Sequence, residues 1–173
     1  METENNDLFS RPVLDFVTIV AEFCKTLEGC AEMERQRFID VMRGLLPMIY
    51  LKATLLPPFP EQPGYNEPCV TEEDYTFVRG NVAAVMQEQD DYLDTFVEDF
   101  KYSDQPVLRT ISEDLADIYQ ALRDFIEVVR AGHEEAVGVA LHEVQEQFGN
   151  SWGQKVANAL RALHDARFGI KYE

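Results

Sequence analysis

The sequence predicts an all-α fold, a single-domain bundle of six or seven mostly antiparallel helices over residues 1–173. Three observations predict it. Val and Ile fall at helical spacing throughout, and no alternating run of any length occurs. Three hydroxyl residues stand three positions ahead of an acid or amide: Thr71 before Asp74, Thr110 before Glu113 and Ser151 before Gln154. That is the spacing of a reciprocal cap at a helix start. Connections between the periodic segments are short, except at residues 57–70.

The elements follow in order. Residues 1–10 form a flexible start, and Ser10 caps a first helix with Pro12 in its first turn. Val13, Phe16, Val17, Val20, Phe23, Cys24 and Leu27 make its buried stripe, and Gly29 ends it. A second helix is expected from Glu32 to Leu56, kinked or split between Gly44 and Met48. Pro47 would there remove a backbone hydrogen bond and crowd the carbonyl of Arg43. Residues 57–70 hold five prolines, so they read as a surface connector packed across the helices or as a lid.

Thr71 starts a third helix, with Val70 and Tyr75 at positions that clamp its first turn. A break at Glu88–Asp91 lets Asp90 cap a fourth helix to about residue 101; one long helix over 71–101 is the alternative. Residues 102–106, YSDQP, read as a turn. Thr110 caps a fifth helix with the stripe Leu115, Ile118, Leu122, Phe125 and Val129. Gly132 separates it from a sixth, which Gly149 ends. Ser151 caps a seventh that buries Trp152, Val156, Ala159, Leu160 and Leu163, and residues 169–173 form a tail.

Composition bounds the function. The chain carries 32 acidic against 15 basic residues, a net charge of −17, with 46% apolar residues to build a core. Such a balance argues against binding the nucleic-acid backbone or an anionic membrane, and it favours basic partners. The N-terminal residues lack the apolar segment of a signal peptide, so a cytoplasmic location is expected. Cys24, Cys30 and Cys69 lack metal-ligand spacing and read as small core residues in a reducing compartment. No cofactor motif occurs, and GNSWG at 149–153 has neither the spacing nor the ending of a phosphate loop.

The acids concentrate in Asp90–Asp117. On the expected fourth helix Asp91, Asp94 and Glu98 form one ridge; on the fifth, Asp114, Asp117 and Asp124 form another. Two facing carboxylate ridges could hold a divalent cation, or both could be solvated outer faces. Arg161 is the matching cation, expected to pair with Asp114 or Asp117 or to hold a substrate anion. His133 and His142 read as exposed, and His164 as standing at the core edge near Arg161.

SEDLADIY at 112–119 and WGQKVANALRALHD at 152–165 resemble an uncharacterised bacterial family, domain of unknown function 5063. DFVTIVAEFC (15–24), LPMIYLKATLLP (46–57) and DDYLDTFVEDFKYSD (90–104) also look like its longer members, so the resemblance covers most of the chain. It implies no activity or ligand. It singles out Asp114, Asp117, Tyr119, Trp152, Gly153, Arg161 and His164 for testing, and with Asp94 and Glu98 they make the candidate polar site.

The leading functional expectation is a non-enzymatic helical protein that binds a protein partner. The alternative is a metal-dependent hydrolase of phosphorylated small molecules, with the cation on these carboxylates. All-α nucleotide pyrophosphohydrolases hold Mg²⁺ in that way, but Glu113 and Asp117 are four apart and do not match their Glu-x-x-Glu and Glu-x-x-Asp pairs. A third is an acidic nucleic-acid mimic that binds a basic protein.

Overall fold

A computed structural model describes residues 7–94 and 107–169. The chain is mostly helical, as the periodicity predicts, with one small sheet. The elements are α1 (Arg11–Glu28), a 3₁₀ turn (Cys30–Glu32), α2 (Arg35–Thr54), α3 (Glu72–Met86) and a second 3₁₀ turn (Gln87–Gln89). β1 (Asp91–Leu93), β2 (Leu108–Thr110), α4 (Ile111–Ala131), α5 (Glu134–Gln147), a π segment (Phe148–Trp152) and α6 (Gly153–Phe168) follow. Since α5 and α6 run on through the π segment, the described residues form five separate helical rods rather than six or seven.

The stripes predict the core. Val13, Phe16, Val20, Phe23, Cys24 and Leu27 of α1 are buried, as are Leu115, Ile118, Leu122 and Phe125 of α4. The long helix α4 is central and packs against α1, α3, α5 and α6. Its aromatic contact is Phe125 on Phe16, centroids 5.5 Å apart, and Phe16 in turn stacks on Trp152 at 6.3 Å.

Four expectations about element boundaries are corrected. First, α2 starts at Arg35 and continues through Pro47 to Thr54. Pro47 is exposed, so its ring sits on the outer face of the helix and not in the core. Second, Ser10 occupies the cap of α1 without a side-chain cap bond. Third, no helix starts at Asp90: residues 91–93 pair antiparallel with 108–110, Tyr92 opposite Arg109. Here Asp90 and Asp94 are buried while Asp91 and Leu93 are exposed. The two-residue period is present with its polarity inverted, polar in and apolar out, so a search for apolar alternation misses it. Leu93 faces solvent. Phe96, Glu98, Phe100 and the YSDQP turn lie outside the described residues.

Fourth, Gly149 does not end a helix and Ser151 does not cap one. The backbone stays helical from α5 into α6, and Gln154 bonds Asn158 instead. Trp152 explains the widened turn. Its indole N–H donates to the carbonyl of Val144 at 3.1 Å, and its ring meets Phe148 edge-on at 4.8 Å. One extra residue in the turn places this large ring in the core. The turn closes because Gly153 has no side chain: a Cβ there would stand 2.3 Å from the Phe148 carbonyl oxygen.

The proline-rich residues 57–70 are a packed connector. Gln145 bonds both the Phe59 N–H and the Pro57 carbonyl, Asn66 donates to the Ala136 carbonyl, and the Cys69 and Val70 N–H groups both donate to Asp124. Thr71 and Asp74 form the expected capping box of α3. Thr110 caps α4 by accepting from the Glu113 N–H, and Gly132 ends α4 at φ +74°.

Gly153→Ala separates the packing role of this glycine from helix propensity. Propensity alone would stabilise the variant by about 1 kcal/mol. Contact with the Phe148 carbonyl instead predicts a loss of about 1–3 kcal/mol, read as a lower urea midpoint at unchanged m-value.

Candidate functional site

Three buried carboxylates gather where α3, the hairpin and the start of α4 meet: Asp90, Asp94 and Asp114, exposed by only 7%, 4% and 3%. A buried carboxylate needs donors or a cation, and each of these has them. Asp90 accepts the Ser112 N–H at 2.7 Å and its hydroxyl at 2.6 Å, which satisfies a free N–H in the first turn of α4. Asp94 accepts from the Arg109 guanidinium, joining the two strands by an ion pair. Asp114 accepts from the Tyr92 hydroxyl.

Asp117 lies one turn beyond Asp114 and is half-buried. One oxygen accepts the Tyr75 hydroxyl of α3 at 2.6 Å; the other accepts from the Lys155 ammonium of α6 at 2.7 Å. Two turns further, Asp124 takes the end of the connector at 2.8 Å. The acidic ridge of α4 is therefore a row of anchors, each holding a different segment. On its open side Asp117 and Lys155 border a cleft of about 400 Å³ between α4, α5 and the connector, with Gln120, Gln147 and Ser151 on its walls.

Burial sets the electrostatics. It pushes Asp114 up to about 6, with a smaller push from Asp117; the Tyr92 bond, Arg109 and Lys155 pull the other way. Tyr92 and Tyr75 are held above the ordinary tyrosine range, first by burial and then by donating to Asp114 and Asp117. Their hydroxyls therefore stay protonated as donors. The cluster can hold segments together and can take up a proton near pH 6 at Asp114.

The structure brings together only part of the expected site. Asp94, Asp114 and Asp117 meet; Glu98 lies outside the described residues. Arg161 pairs with neither Asp114 nor Asp117 but approaches the Leu93 carbonyl at 3.4 Å. Six residues past Lys155, it is ~9 Å further along α6 and on another face. Tyr119 points away, donating to Glu28 of α1 at 3.0 Å. Trp152 is core. His164 is exposed and rests on Phe168 at 5.0 Å, so it does not stand at the core edge. Asp91 and Asp94 do not share a helical ridge: Asp91 lies in β1 and is exposed, while Asp94, just past the strand, is buried.

Asp90, Tyr92, Arg109, Ser112, Tyr75 and Lys155 were not among the site residues expected from the sequence. The available signal was the DDYLD segment itself, in which Asp90, Tyr92 and Asp94 share a face only if the chain is extended. Cys24 and Cys30 are buried as expected, whereas Cys69 is exposed. Burial pushes the Cys24 and Cys30 thiols up to about 12 and 11, leaving them poor nucleophiles. Among the described residues no three His, Cys, Asp or Glu side chains are grouped to hold a metal ion. No described helix is long and apolar enough to cross a membrane.

A family model described as Domain of unknown function (DUF5063) matches residues 7–169. The chain belongs to that family. Its fold is similar to the crystal structure of protein BF1032 from Bacteroides fragilis: 41% identity, 96% of this chain and 98% of that one covered, TM-score 0.87. No curated protein matches. The family thus confirms the resemblance carried by SEDLADIY and WGQKVANALRALHD and assigns no chemistry to either.

Asp114 sets a signed pH dependence. Its folded value lies above the ordinary carboxylate value of 3.8, so the fold favours the protonated form. The stability this adds is full below about pH 4 and is lost as pH rises through about 6. Asp114→Asn retains an acceptor for Tyr92 and removes the buried charge. It is expected to raise stability at pH 7.5 by about 1–3 kcal/mol and to flatten the dependence between about pH 4 and 6, measured by urea titration across pH.

Proposed function

We propose that this protein is a non-enzymatic, cytoplasmic interaction module whose helices present the outer face of α2 to an amphipathic helix of a basic partner protein. One observation carries the reading. Met48, Leu51 and Leu55, at helical spacing on α2, are exposed by 42%, 50% and 54%, and Gly44 extends the same face with open space in front of it. From Gly44 to Leu55 the one charged residue is Lys52, at the edge of the face and paired with Asp15 of α1 at 3.7 Å, in a chain where 27% of residues are charged. An apolar stripe with a glycine for close approach suits a helix laid against it. The net charge of −17 makes a basic partner the complementary one and disfavours a second copy of the same chain.

The burial of the acids supports the same reading. Asp90, Asp94, Asp114, Asp117 and Asp124 spend their oxygens on bonds within the chain. Those bonds would have to be given up before the carboxylates could serve the metal-dependent hydrolase alternative. A nucleic-acid mimic needs its acids in solvent, and these are not.

The test is affinity capture from host lysate with the wild type and Leu51→Glu, run across salt concentrations. The reading predicts a defined basic protein, isoelectric point above about 9, captured at low salt and lost as salt rises. Leu51→Glu is expected to lose it while keeping the wild-type melting temperature. Capture that survives Leu51→Glu, or self-association through this face in sedimentation, contradicts the proposal.

A further inference from the structure

A second feature lies at the other end of α2 and is independent of the partner-binding face. A cleft of about 570 Å³ opens between the first turn of α2, the end of α3 with its 3₁₀ turn, and the end of α6. This is within the size range of small-molecule sites. Its lining is richer in arginine than the chain as a whole. Arg35 and Arg167 line it against one acid, Glu34, whereas the whole chain has 32 acidic to 15 basic residues. Glu34 is occupied: its carboxylate caps its own helix through the Gln36 N–H.

The two arginines differ in what they have left to give. Arg35 is a structural fork. Its Nε donates to the Val85 carbonyl, Nη1 to Glu88 and Gln89, and Nη2 to Gln87 at 2.6 Å. This holds the turn in which Gln87 adopts φ +51° and ψ −128°, a backbone normally left to glycine. Arg167 is bound only through Nε, to Asp40 at 3.0 Å. Its Nη1 and Nη2 donate to no described residue, and its guanidinium is oriented by Asp40 and by the Phe168 ring at 5.0 Å. Met33, Ile39 and Val85 supply an apolar wall, and Ala31, Ala84 and Ala166 leave the space open.

We propose that this cleft binds small organic anions, the terminal nitrogens of Arg167 taking a carboxylate or phosphate-monoester head and the Met33–Ile39–Val85 wall taking an apolar body. Two parallel N–H donors fit either head bidentately. A guanidinium held in orientation by Asp40 beside apolar surface favours an amphipathic anion over an inorganic one.

Isothermal titration of the full chain with octanoate, phenyl phosphate and octan-1-ol tests this. At least one of the two anions is expected to bind saturably at one site with a Kd below about 1 mM, and octan-1-ol at least roughly tenfold more weakly. Arg167→Ala is expected to weaken the anion at least about tenfold. Ala84→Trp blocks the cleft from an exposed position and is expected to abolish binding; Ala31→Trp does the same from the facing side if the first variant does not fold. The stronger of the two anions identifies the head group. Neither anion saturating by about 10 mM overturns the proposal. So does wild-type affinity in Arg167→Ala or in a folded tryptophan variant, or equal binding of octan-1-ol.

Discussion

The carboxylate of Asp90 receives the N–H and the hydroxyl of Ser112, and the backbone of Asp90 ties the neighbouring segments together. The Asp90 N–H returns to the Gln87 carbonyl, which closes the turn after α3. Its carbonyl accepts the Ile111 N–H, which fixes where α4 begins. Its position sets the register of β1 on β2, and so brings Asp94 to Arg109 and Tyr92 to Asp114. An acid at the start of a 21-residue helix also faces the positive end of the helix dipole. A hydrogen bond to a charged group contributes ~1.5–3 kcal/mol, enough to offset the local cost of burying this carboxylate. Asp114 has a weaker arrangement, a single hydroxyl donor, and its raised pKa is the consequence.

Legibility in the sequence followed the kind of interaction involved. Helices whose position is set by apolar burial were readable: α1 from Val13 to Leu27, α4 from Leu115 to Phe125, and the Thr71–Asp74 start of α3. Elements set by buried polar contacts were not. The hairpin turns its acids and Tyr92 inward and Leu93 outward, opposite to the polarity that period analysis assumes. The π segment was hidden because Gly149 and Ser151 are good stop and start residues; the bulk of Trp152 and the bare Cα of Gly153 outweigh them. Pro47 does not end α2, which runs on through it to Thr54, with the proline on an exposed face of the helix. Of the candidate site, Asp94, Asp114 and Asp117 were found by their acidity, but their partners were not. Which cation reaches Asp117 depends on the register of α6, which the π segment sets, and so Lys155 takes the place expected for Arg161.

The acidic middle of the chain consequently has a different meaning from its composition. Among the described residues, Asp90, Asp94, Asp114, Asp117 and Asp124 are used one by one to fasten α3, the hairpin, the connector and α6 to α4. The surfaces left unused are elsewhere, at the two ends of α2. One is an apolar stripe, the other a cleft with an arginine whose terminal nitrogens donate to no described residue. Membership in the DUF5063 family and the similarity to the Bacteroides fragilis protein extend the fold without assigning it a task, so the functional case rests on these surfaces.

The claim that buried carboxylates fasten the periphery to α4 is tested most directly by amide hydrogen exchange on Asp90→Ala. The account predicts that the Asp94 and Ile111 amides lose at least about tenfold in protection, while Leu122 and Phe125 in the body of α4 keep theirs. Unchanged protection at Asp94 and Ile111 would contradict it, as would an equal loss throughout α4.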